Sequence, residues 1–70
     1  MNTIEITTEF IKLDAFLKFT GDVGSGGEAK QIITEGKVFV NGEVCTMRGK
    51  KLRSGDTVRI GNEDYTVIQA

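Results

Sequence analysis

Histidine, tryptophan and proline are missing from these 70 residues, and cysteine occurs once, as Cys45. Without histidine the chain lacks the commonest general base and the usual zinc ligand sets. A single cysteine leaves no disulfide to staple the chain internally, and an unpaired thiol fits a reducing compartment. With no proline, nothing of the usual kind marks a linker. No apolar stretch approaches the roughly 18 residues that a bilayer-spanning helix needs. The opening Met1-Asn2-Thr3-Ile4-Glu5 has neither a basic start nor an apolar run, so no signal peptide is expected. The expectation is a cytoplasmic protein with no membrane partner.

What is present is enough for a small fold. Apolar residues make up 39% of the sequence and charges of both signs are interspersed, which suits one domain over residues 1–70 with a thin core. Asn2 to Thr7 alternates through Ile4 and Ile6 and reads as a short edge strand. Thr7 or Thr8 then serves as a cap, with Glu9 in the first turn of a helix whose apolar face is Phe10, Leu13, Phe16 and Leu17. Gly21 ends it. Ser25-Gly26-Gly27-Glu28 matches a capping box and opens a second helix, with Ala29, Ile32 and Ile33 turned inward and Lys30, Gln31 and Thr34 outward. Gly36 sits where a left-handed cap belongs.

Beyond Gly36 the period becomes two. Val38 and Val40 share a side, Phe39 takes the other, and Asn41-Gly42 is a strong signal for a type I′ hairpin. Glu43 to Thr46 returns antiparallel. Arg48-Gly49-Lys50-Lys51 is too charged for anything but an exposed loop. Ser54-Gly55-Asp56 turns the chain into the strand Thr57–Ile60, and Gly61-Asn62 leads into Tyr65–Ile68. The predicted fold class is α+β, two helices packed on a small, mainly antiparallel sheet. Phe10, Phe16 and Phe39 are assigned to the core, leaving Tyr65 as the aromatic with a polar handle.

Charge is the most informative signal. Residues 37 to 53 hold Lys37, Arg48, Lys50, Lys51 and Arg53 against Glu43, a net +4 in a chain whose formal charge is −1, so the remainder carries −5. Concentrated positive charge on a nearly neutral chain marks a surface for a polyanion. Lys12, Lys30 and Lys37 extend the patch if the helix faces lie alongside it. Catalysis finds no support: the carboxylates are scattered, and Cys45 has no helix N-terminus ahead of it to activate its thiol, which is read as inert and structural. Gly24 to Ala29 fits a loose dinucleotide pattern, but the chain is too short for the strand and crossover that pattern requires. The bare Gly26 and Gly27 do leave helix amides open to a phosphate, including one from RNA. No cofactor, metal or small-molecule substrate is expected.

Lys12-Leu13-Asp14, Leu17, Gly21, Ser25, Ala29-Lys30, Ile33, Gly36, Val38, Val40-Asn41-Gly42 and Gly55-Asp56 follow one order and spacing. Over about Lys12 to Ile60 the chain resembles the RNA-binding domain named after ribosomal protein S-four, the alpha-L motif. The run Arg48-Gly49-Lys50-Lys51-Leu52 is similar to small, free-standing bacterial members without a catalytic domain. The resemblance implies binding to structured RNA, ribosomal RNA or tRNA, in association with the ribosome, and a monomer is expected. By position it assigns contacts to Lys12, Ser25, Lys30, Lys37 and Asn41, beside the basic loop residues Arg48, Lys50, Lys51 and Arg53. Many members carry arginine directly after the serine, where this chain has Gly26 and Gly27. Two other readings stand beside it. A protein-binding adaptor would use the same basic loop against an acidic partner. A sulfur-carrier-like β-grasp protein needs a C-terminal Gly-Gly, where this sequence reads Val67-Ile68-Gln69-Ala70.

Overall fold

The computed structural model describes residues 2–70; Met1, with which the reading of the amino terminus began, lies outside the described residues. Strand β1 (Asn2–Ile6) is followed by the two-residue β2 (Ile11–Lys12), then helices α1 (Leu13–Thr20) and α2 (Gly26–Thr34). The rest of the chain is β3 (Val38–Val40), β4 (Glu43–Val44), β5 (Lys51–Leu52), β6 (Thr57–Ile60) and β7 (Glu63–Gln69). Five strands form one sheet in the order β1-β7-β6-β3-β4, and β2 pairs with β5 in a separate ribbon. All pairings are antiparallel except that of β1 with β7. This is the α+β arrangement the sequence pattern predicts, with β1 on an edge as expected.

Local chemistry accounts for the joints. Asn41 and Gly42 adopt φ of 52° and 85°, the positive pair a type I′ turn demands, and β3 and β4 pair directly across it. The Ser25 hydroxyl accepts from Glu28 N at 3.2 Å, and the Glu28 carboxylate accepts from Gly24 N at 2.8 Å. The capping box is therefore present, with the glutamate reaching one residue further back than its usual partner. Gly36, at φ 76°, donates to Ile33 O at 3.1 Å while Lys37 N donates to Ile32 O at 3.2 Å. That pair of bonds is the Schellman closure of α2.

The core lies between the helices and one face of the sheet. Leu13, Phe16 and Leu17 from α1 meet Ala29 and Ile33 from α2 over Val38, Val40, Val58, Tyr65 and Val67. Phe16 stands edge-on to Tyr65, their ring centroids 5.7 Å apart. The Tyr65 hydroxyl donates to Asp22 at 2.8 Å. Burial first, and the Asp22 carboxylate second, push this phenol above its ordinary pKa.

Three expectations need correction. Helix α1 starts at Leu13 rather than after Thr7 or Thr8, because Ile11 and Lys12 pair with Leu52 and Lys51 and are drawn into a strand. The Thr8 hydroxyl donates to Phe10 O and caps no helix. Phe10 is only half-buried, and Phe39 is 37% exposed on the sheet face opposite Val38 and Val40; of the three phenylalanines assigned to the core, Phe16 is in it. Finally, Lys51 belongs to a strand whose neighbour Leu52 is fully buried.

Candidate nucleic-acid interface

The β2–β5 ribbon is what organises the basic loop. Ile11 lies opposite Leu52, and Lys12 opposite Lys51. Side chains directly across a ladder share a face, so the apolar pair points to the core and the two lysines point outward together. Like charges directly opposite are destabilising. The chain tolerates that cost at a position where a bound anion would remove it.

Backbone bonds then fasten the loop to α1. Leu13 N donates to Lys50 O at 2.9 Å and Asp14 N to Arg48 O at 3.1 Å. The N-cap residue Lys12 provides no side-chain cap, so the carbonyls of the basic loop satisfy amides that a helix start leaves open. Arg48 and Lys50 are thereby held at the positive end of the α1 dipole, which adds to their own potential. The carboxylate in that first turn, Asp14, accepts from Ala15 N at 2.7 Å.

Phe10 joins the site instead of the core. The Lys51 ammonium lies 4.9 Å from its ring centroid and the Arg53 guanidinium carbon 5.6 Å from it. Contacts of this kind contribute about 0.5–1 kcal/mol at exposed sites, enough to bias both flexible side chains toward one side of the ribbon. The Arg53 backbone is set independently, its N–H donating to Asp56 Oδ2 at 2.8 Å. Phe10→Leu is expected to weaken RNA binding about twofold to fivefold, the order of one or two lost cation–π contacts, with the slope of log affinity on log salt unchanged because no charge is removed. Filter binding at several salt concentrations checks both; a changed slope would mean that the ring acts otherwise than by positioning cations.

The positions proposed from sequence divide into groups. Lys12, Arg48, Lys50, Lys51 and Arg53 come together around the ribbon and loop, all exposed. Among the described residues the ion pairs are Lys37 with Glu35 at 3.1 Å and Arg59 with Asp64 at 4.0 Å, so none of these five is neutralised in that way. Lys37 is: its hydrogen bond holds the Glu35 carboxyl below the usual range. Lys30 projects from the exposed side of α2. Asn41 is occupied internally, its amide nitrogen donating to Asp56 Oδ1 at 3.1 Å and its oxygen accepting from Thr57 N at 2.9 Å. Its evident task is to tie the hairpin to the Ser54–Asp56 turn. Ser25, Gly26 and Gly27 are exposed at the start of α2, where the Ser25 hydroxyl is already engaged and Glu28 contributes a negative charge of its own. A Cβ on Gly26 would meet nothing within 4 Å, so close packing does not explain that glycine.

Sequence reasoning missed Phe10 and Leu52. Each lies in or beside a strand of two residues, too short for any period to show. Cys45 is half-buried, with its sulfur 3.7 Å from Met47 O.

Comparison with known proteins gives the family and the fold. The family model described as "S4 domain" matches residues 4–68. The chain belongs to that family. Its alpha-L fold is also that of a solved relative: the solution structure of YbcJ from E. coli, described as having an alfaL motif involved in RNA-binding, superposes with a TM-score of 0.73. The two are 33% identical, over 97% of this chain and 87% of that one. Over 59 residues the chain is 48% identical to the "Probable ribosome maturation protein RlbA" of Bacillus subtilis (strain 168), covering 84% of this chain and 83% of that protein. Within this alpha-L domain, the β2–β5 ribbon and the loop that precedes β5 carry the largest group of unpaired cations described above.

Proposed function

We propose that this protein binds structured RNA without catalysis, through Lys12, Arg48, Lys50, Lys51 and Arg53, with Lys30 extending the surface and Lys37 contributing little because Glu35 already pairs with it. The observation that carries the reading is the uncompensated Lys12–Lys51 pair, fixed face to face on a ribbon that also anchors Arg48 and Lys50 to the start of α1. Double-helical RNA offers side chains little base information, so contacts to phosphate and 2′-hydroxyl groups carry the affinity. Ser25, Gly26 and Gly27 form a lesser, peripheral contact, and Asn41 acts by shaping the hairpin.

The relative named for ribosome maturation favours ribosomal RNA as the target, in the bacterial cytoplasm. With about four cations on phosphates, log affinity falls against log salt with a slope near −3. The protein purified at low salt is expected to carry nucleic acid whose contribution to the 260/280 absorbance ratio disappears on RNase treatment. A ratio indifferent to RNase, with salt-sensitive binding to an acidic protein in its place, would replace this reading with that of an adaptor.

A further inference from the structure

The uncovered Phe39 marks a second surface, lined by none of the five cations of the β2–β5 ribbon and its loop. One of its flanks is a groove of about 540 Å³ whose apolar wall is Val23, Ile32, Phe39 and Ile60, with Asp22 and Glu28 at the rim. Phe39 lies opposite Val44 in the ladder and shares its face; Val44 is 53% exposed. An aromatic ring in mid-strand, flanked by a groove and by a second exposed apolar side chain, has the character of an interface hot spot awaiting a partner.

Charge selects what that partner is. Two cations border Phe39, namely Lys37 in the groove lining and Arg59 opposite it in the sheet, and both are taken up by carboxylates of the chain, Glu35 and Asp64. Among the described residues, neither Asp22 nor Glu28 takes part in an ion pair. Each is nonetheless held in place: Asp22 accepts from the Thr20 and Tyr65 hydroxyls at 2.6 and 2.8 Å, and Glu28 accepts from Gly24 N at 2.8 Å. With Lys37 and Glu35 cancelling, the groove carries a net −2 on two carboxylates whose ordering cost is already met within the fold. Such a rim repels phosphate and attracts lysine and arginine.

We propose that this groove docks a cationic segment of a protein partner, one large apolar side chain lying against Phe39 and Ile32 and basic side chains on Asp22 and Glu28. The chain would then hold RNA on its basic ribbon and a basic protein on its acidic groove at once.

The test uses a short synthetic peptide of alternating arginine and serine around a central leucine, with a glutamate-for-arginine counterpart, followed in amide proton–nitrogen NMR spectra of the whole chain. The arginine peptide is expected to shift the amides of Val23, Ile32, Phe39 and Ile60, and the glutamate peptide to leave them in place. Phe39→Thr, which keeps a β-branched residue in the strand, should weaken the peptide about tenfold or more, as hot-spot truncations do, and leave RNA retention unchanged. Should that variant fail to fold, Glu28→Gln keeps an acceptor for Gly24 N and should still weaken the peptide severalfold. Shifts confined to residues 48 to 53, equal shifts from both peptides, or full affinity in Glu28→Gln would overturn the proposal. So would the same amides responding to an RNA hairpin, or to protein concentration alone, which would make the occupant RNA or a second copy.

Discussion

Lys50→Glu combined with Lys51→Glu is expected to abolish RNA retention while the protein stays folded. The double change converts +2 into −2 on the loop that α1 holds in place through Leu13 N and Asp14 N. Those bonds go to backbone carbonyls, so the loop keeps its position when its side chains change. Removing two of about four phosphate contacts, and adding repulsion in their place, lowers affinity by at least about a hundredfold at moderate salt. Stability should hold or rise slightly. Both lysines are exposed, and reversing Lys51 replaces a repulsive cross-strand pair with Lys12 by an attractive one, a change of roughly a few tenths of a kcal/mol. Thermal melting alongside filter binding separates the two effects. Undiminished RNA retention in the folded double variant would remove the loop from the interface.

Leu52→Ala should give the largest loss of stability for a residue so close to the proposed site. Leu52 is fully buried on a two-residue strand opposite Ile11, and truncating such a leucine costs about 2–5 kcal/mol, the spread depending on how far the cavity collapses. A chain of this size has roughly 4–10 kcal/mol to lose. Leu52 is the one fully buried side chain of the ribbon, so RNA affinity should fall together with the melting temperature, although no charge is touched. Met47→Ala, at a side chain 66% exposed, is the control and should change the melting midpoint very little. If Leu52→Ala melted like the wild-type protein, the ribbon would not depend on its buried side chain, and the link between core and basic loop would fail.

The two alterations act on opposite ends of one chain of causes. Leu52 and Ile11 anchor the ribbon, the ribbon sets Lys12 against Lys51, and the loop ahead of it closes the start of α1. The proposed RNA surface is thus assembled from backbone pairing, with charge added on its outer side. Phe10 belongs to the same assembly, and its distance from Lys51 and Arg53 explains why an apolar residue that fits a helical stripe is absent from the core.

Features that depend on a few neighbouring residues were readable in the amino-acid order. The type I′ turn at Asn41-Gly42, the capping box at Ser25 and the left-handed cap at Gly36 each follow from φ preferences and hydrogen bonds within one turn of chain. The alternation of β3 and the stripes of both helices follow from period alone, and the clustering of cations between residues 37 and 53 needs only counting. The start of α1 was not readable, because a strand of two residues owes its existence to a partner some forty positions away. Nor were the exposure of Phe39 on the outer face of the sheet and the pairing of Lys37 with Glu35 that leaves the groove acidic. Composition and local pattern settle which residues turn, cap and alternate. Which cations stand together, and which are cancelled, is settled by long-range pairing, since charge is additive in space and not along the chain.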